Sequence, residues 1–166
     1  SAASRLLEVC ALVRMPCGPK AAARTLASID DSLKHPTESI SLAAVAALRA
    51  VSHAYFAAPP AEAADDDTAA LLVPRYAAPL LADPNPGLRR GYALAIGALP
   101  RGQLRRALPV AVDALVAASR MEENVELRDA ETRRNAVRSL VDLACSAGLA
   151  ARPDAEGEAG APGDLS

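Results

Sequence analysis

Three stretches of this chain carry one pattern: SLAAVAALRAV from Ser41, RRGYALAIGAL from Arg89 and RRNAVRSLVDL from Arg133. Superimposed, they place Ala47, Ala95 and Ser139 at a small-residue position and Leu48, Ile96 and Leu140 at the next. Val51, Leu99 and Leu143 follow three further on. This is the pattern of a helix seam. The small side chain lets two helices approach, and the large ones at one and four places later fill the space between them. A unit that repeats its seam cannot bury that face alone and must stack on copies of itself.

The stretches begin 48 and then 44 residues apart, at or just above the roughly 40 to 47 residues of HEAT and armadillo units. Each is preceded by a polar turn and an earlier helical run. The expected fold is therefore all-α, a HEAT/armadillo-like α-solenoid of about three helical hairpins. The first hairpin pairs Lys20–Lys34 with Glu38–Phe56 across His35-Pro36-Thr37, Thr37 serving as N-cap. The second pairs about Asp67–Ala82 with a helix following Asp83-Pro84-Asn85-Pro86-Gly87, a run that stops the first helix outright. The third pairs Gly102–Arg120 with a helix capped by Asp129, running to about Cys145 and closed by Gly148. Pro74, Pro79 and Pro109 fall inside the first helices and either kink or shorten them. Composition agrees with this fold. The apolar residues are mostly Ala, Leu and Val, with one Phe, three Tyr and no Trp, a mixture that favours close-packed helices over strands.

Ahead of the first hairpin, Ser4–Arg14 reads as an unpaired N-terminal helix with Leu6, Leu7, Cys10 and Val13 on one stripe. The chain is thus expected to begin inside a longer array, with a repeat domain over 1–149. The segment at 57–67, AAPPAEAADDD, is expected to be an acidic linker, and 150–166, rich in Gly, Ala, Pro and acids, a disordered tail. Three cysteines, Cys10, Cys17 and Cys145, without repeated C-x-x-C spacing read as small buried or half-buried thiols in a reducing compartment. No leader pattern or membrane span is visible, so a soluble cytoplasmic location is expected. The net charge of −2, from 18 basic and 20 acidic residues, gives no field to gather nucleic acid. The scarcity of aromatics removes stacking platforms for single strands.

No motif for phosphate cradling, metal binding or nucleophilic attack is present, so no catalytic, cofactor-binding or metal-binding residue is expected. His35 and His53 lack partners at ligand or triad spacing. Asp65-Asp66-Asp67 lies in low-complexity sequence and reads as solvated charge. Of the 18 basic residues 16 are Arg, several in pairs, and Arg favours fixed bidentate contacts. Arg89 and Arg133, close after Asp83 and Asp129, suit an internal Asp–Arg ladder between repeats. Arg90 and Arg134, equivalent on neighbouring repeats, suit either that ladder or an acidic partner.

DPNPGLRRGYALAIGALP from Asp83 to Pro100, the GQLRRAL helix after it, and DAETRRNAVRSLVDLACSAGL from Asp129 to Leu149 together resemble the C-terminal region of the tubulin-folding cofactor D family. HPTESISLAAVAALRAVSHAYF, from His35 to Phe56, resembles the repeat before it, so the resemblance spans about Lys34–Leu149. It implies a HEAT-repeat chaperone segment acting in assembly of the αβ-tubulin heterodimer after chaperonin release. The implied partners are β-tubulin, tubulin cofactors E and C, and an Arf-like small GTPase. The implied setting is cytoplasmic and cytoskeleton-associated, with stimulation of GTP hydrolysis a property of the assembled complex. No catalytic residue of the family maps onto this chain. The insert at 57–67 departs from the family pattern. A general HEAT-repeat scaffold is the alternative, and a third reading has one Arg acting on a bound GTPase as an arginine finger.

Overall fold

The computed structural model describes residues 19–56, 72–125 and 128–147. Among them every regular element is an α-helix: α1 (Pro19–Leu33), α2 (Glu38–Tyr55), α3 (Leu72–Ala82), α4 (Pro86–Ala98), α5 (Arg101–Arg106), α6 (Leu108–Ser119) and α7 (Ala130–Ala147). Successive helices pack as α1 on α2, α3 on α4 and α6 on α7, while α2 meets α4, α4 meets α7 and α3 meets α6. The result is a two-layered helical stack, consistent with a helical solenoid, with α2, α4 and α7 in one layer. The unpaired helix expected at Ser4–Arg14, the linker at 57–67 and the tail at 150–166 lie outside the described residues.

The seams of the three sequence stretches are where the layers meet. Ala47, Ala95 and Ser139 are buried, as are Val51, Leu99 and Leu143. At the remaining position Leu48 and Ile96 have no exposed surface, whereas Leu140 is only half-buried. Leu140 lies on the last described helix, which packs against α4, α5 and α6.

Two contacts bring α4 unusually close to its neighbours. A Cβ on Gly91 would stand 2.2 Å from the Leu33 carbonyl oxygen, and one on Gly97 would stand 2.6 Å from Ser139 Oγ. These glycines therefore serve close approach between helices, which a side chain of any size would prevent.

The caps and prolines depart from expectation in instructive ways. Thr37 precedes α2, but its side chain makes no capping bond; instead its backbone N–H donates to His35 Nδ1 at 3.0 Å. The turn before α4 is entered by the helix sooner than expected. Asn85 accepts from Gly87 N at 2.9 Å as N-cap and Pro86 takes the first helical position, where its missing N–H costs nothing. Pro74 falls in the first turn of α3 and Pro109 in that of α6, so only Pro79 lies well inside a helix. The expected single helix Gly102–Arg120 is in fact two, broken at Ala107 (φ −125°, ψ 33°).

Gln103, buried in α5, joins two points far apart in sequence. Its Oε1 accepts from Leu72 N at 3.0 Å and its Nε2 donates to the Phe56 carbonyl at 3.3 Å. One amide thus holds the end of α2 beside the start of α3. Gln103→Leu should keep the volume but strand a buried N–H, at a cost of about 1–3 kcal/mol. Chemical denaturation, read as the midpoint at unchanged slope, measures this; a midpoint equal to that of the parent chain contradicts it.

Candidate functional site

The arginines sort themselves by what their helices abut. Arg75 of α3 donates through Nε to Asp30 Oδ2 at 2.8 Å, and the neighbouring Tyr76 hydroxyl donates to Asp30 Oδ1 at 3.0 Å. Burial, followed by the Asp30 charge and hydrogen bond, pushes the Tyr76 hydroxyl far above its ordinary value, so it stays protonated as a donor. This cluster fastens α1 to α3.

The equivalent fastening of α4 to α7 is made by Arg90. Its Nε donates to Asp129 Oδ2 at 2.9 Å and its Nη2 to Oδ1 at 2.8 Å, a bidentate pair, while Nη1 lies 2.6 Å from Glu131 Oε2. Asp129 is at the same time the cap of α7, accepting from Thr132 N at 3.0 Å. Asn135 Nδ2 adds a bond to the Arg90 carbonyl at 3.3 Å. Burial alone would raise the Asp129 carboxyl, but the hydrogen bonds from Arg90 and Thr132 and the Arg90 charge outweigh it and hold the carboxyl below its usual value.

The internal ladder expected of Arg89 and Arg133 with Asp83 and Asp129 is therefore built differently. Asp83 accepts from Asn85 N at 2.9 Å inside its own turn. Arg89 turns toward the end of α6, with Nη1 3.4 Å from Glu122 Oε1. Arg133 Nε donates to the Ser119 carbonyl at 3.4 Å, compensating the C-terminal end of α6. Neighbouring residues on a helix differ by about 100° in direction, and only Arg90 points at the α7 cap.

A groove of about 730 Å³ runs across α2, α4 and α7 near their N-terminal ends. Both Arg90 and Arg134 line it. Arg90, 41% exposed, is clamped as described; Arg134 is 69% exposed and makes a single loose contact, 3.7 Å to Glu131. Arg138, one turn further along α7, is exposed, lines the same groove and makes no ion pair among the described residues. Leu42 is 43% exposed there, beside half-buried Leu88 and Leu94. Arg138 and Leu42 were not singled out from sequence. The i, i+4 step from Arg134 was the available signal for Arg138, and Leu42 gave none because it adjoins the buried stripe.

His53 is exposed on α2, and His35 accepts a backbone bond. Cys145, expected to be buried or half-buried, is exposed on α7, while Cys10 and Cys17 lie outside the described residues. No group of three or more His, Cys, Asp or Glu side chains that could hold a metal ion occurs among the described residues, and no described helix is long and apolar enough to cross a membrane. No protein-family model, curated protein or solved structure matches the chain.

The two groove arginines should separate cleanly by stability. Arg90→Ala removes the partner of a carboxylate that is only 11% exposed, and should cost about 1–3 kcal/mol. Arg134→Ala should change stability by no more than about 0.5 kcal/mol. Thermal unfolding of both variants checks this, and equal losses would contradict it.

Asp129 gives a pH dependence of defined sign. Because its folded value is lowered, its contribution is complete above the ordinary aspartate value and is lost as pH falls through the lowered folded value. Asp129→Asn keeps a capping oxygen but removes the charge. It should therefore be less stable at neutral pH and show a shallower loss on acidification. Denaturant titrations across the acid range test this; parallel curves would contradict it.

Proposed function

We propose that the chain is a HEAT-type segment of a tubulin-folding chaperone of the cofactor D class. In this reading it binds β-tubulin, and the partner cofactors E and C, through the groove across α2, α4 and α7. The observation that carries the proposal is the convergence of Arg90, Arg134 and Arg138 on one groove. The resemblance of Asp83–Pro100 and Asp129–Leu149 to that family supplies the partner's identity, and those stretches include α4 and α7, two of the helices that line the groove.

The chemistry is recognition. Arginine presents a planar fork that carboxylates accept in pairs, and equivalent positions on successive helices space such forks along the groove. Arg90 does so indirectly, by fixing α4 to α7; Arg134 is the better placed to meet a partner. Stimulation of GTP hydrolysis belongs to the assembled complex with tubulin and the Arf-like GTPase, not to this segment.

The test is co-elution of the chain with the αβ-tubulin heterodimer, alone and with cofactors E and C. Arg134→Glu should slow association, by roughly threefold to tenfold at low ionic strength, with a difference that shrinks as salt rises. Absence of tubulin from the complex under all these conditions would remove tubulin as the partner and leave a general HEAT scaffold. GTP turnover that vanishes in a single Arg→Ala variant while binding survives would instead establish an arginine finger.

A further inference from the structure

The groove is polarised. Asp129, which caps α7, and Glu131 in its first turn are both engaged by Arg90, at 2.8 Å and 2.6 Å. Glu131 is left only 3.7 Å from Arg134 and is shared between the two arginines. Arg134 and Arg138 thus stand one helical turn apart with less than one carboxylate between them, an excess of positive charge on the α7 side. On the α2 side Glu38, at the first turn of that helix, is exposed and has no ion-pair partner among the described residues. Its negative charge acts on Arg90 across the groove. Between the two sides lies the apolar floor of Leu42, Leu88 and Leu94.

Two exposed arginines at i and i+4, one loosely paired and one without an ion pair among the described residues, have Cβ atoms about 6 Å apart along the helix and match two carboxylates one turn apart on a facing helix. The half-exposed leucines match an apolar anchor, and an amphipathic helix laid in a groove presents both at i, i+3 and i+4 spacing. Glu38 opposes a carboxylate at the far side, which fixes direction by repulsion as well as attraction.

We infer that the groove recognises an amphipathic helical segment of a partner protein, with two acidic residues one turn apart seated on Arg134 and Arg138 and an apolar anchor on the Leu42, Leu88 and Leu94 floor. The inference rests on the groove being the binding surface of the proposed function, but it does not require the partner to be tubulin. Arg90 is a positioning residue in this arrangement. Its side chain holds α4 and α7 at the spacing that forms the groove.

The experiment uses the full chain and a fluorescent synthetic helical peptide carrying two glutamates one turn apart and two leucines on the adjoining face. A second peptide has both glutamates replaced by glutamine. The glutamate peptide should bind in a salt-dependent way, and the glutamine peptide about tenfold more weakly, as two exposed ion pairs allow. Arg134→Glu combined with Arg138→Glu should erase the preference between the peptides without altering the melting temperature. Leu42→Ser should weaken both peptides alike. Arg105→Glu with Arg106→Glu, exposed on α5 and away from the groove, should change nothing.

Failure of the glutamate peptide to bind, or a preference that survives the double reversal, overturns the inference. Concentration-dependent dimerisation abolished by the double reversal overturns it in favour of a second copy as occupant. Peptide binding that appears only after removal of 150–166 overturns it in favour of that acidic segment. If tubulin fails to co-elute while the peptides behave as expected, the inference stands and the tubulin reading falls.

Discussion

How closely α4 can approach its neighbours governs the rest of the stack. It is contacted by α1 and α2 on one side, α7 on another and α3 behind, and at Gly91 and Gly97 the facing atoms leave no room for a Cβ. Such approach brings backbone against backbone, so that dispersion contacts come from main-chain atoms as much as from side chains. This explains how a core with no Trp can be dense. Ala44, Ala47, Ala93, Ala95, Ala111, Ala114 and Ala136 are all buried, each contributing little area but permitting a neighbour to contribute more. A larger residue at any of them would have to displace what is packed against it.

Close packing fixes distance but not orientation about the contact, and that is the task of the polar fastenings. Asp30 with Arg75 and Tyr76, and Arg90 with Asp129, each join consecutive hairpins at a point where one partner is largely shielded from water. A bidentate guanidinium bond is directional in a way that an alanine seam is not. In the second fastening the same carboxylate also caps α7, so the start of that helix and its attachment to α4 are one event. The cost of desolvating Asp129 is offset only when every one of these bonds is present, which ties groove geometry to the integrity of a helix end.

The seams were legible in sequence because burial repeats with the helix period, and the register of Ala47, Ala95 and Ser139 needed only that period. The fastenings were not legible, because Arg89 and Arg90 are equivalent to any rule based on spacing. The packing of α6 on one side of α4's start and the α7 cap on the other decides between them. Gln103 was invisible for a similar reason: its two partners, Phe56 and Leu72, lie 47 and 31 positions away, on either side of a segment whose sequence gives no pairing. The break at Ala107 was half legible. Pro109 marks a helix start as readily as a kink, and the choice depends on how α5 and α6 each meet α7.

A groove built this way sets the kind of binding it can perform. Its sides carry arginines and glutamates, its floor is three leucines, and no Phe, Tyr or Trp lines it, so it offers no aromatic-lined pocket of the sort that concentrates binding energy in a few residues. In the proposed binding mode, exposed arginines on one side and a glutamate on the other would contribute chiefly to encounter rate, direction and rejection of wrong partners. Tight association would then come from repetition. In a stacked array each added hairpin brings its own second helix to the groove, and contacts that are weak singly reinforce one another once the first has formed.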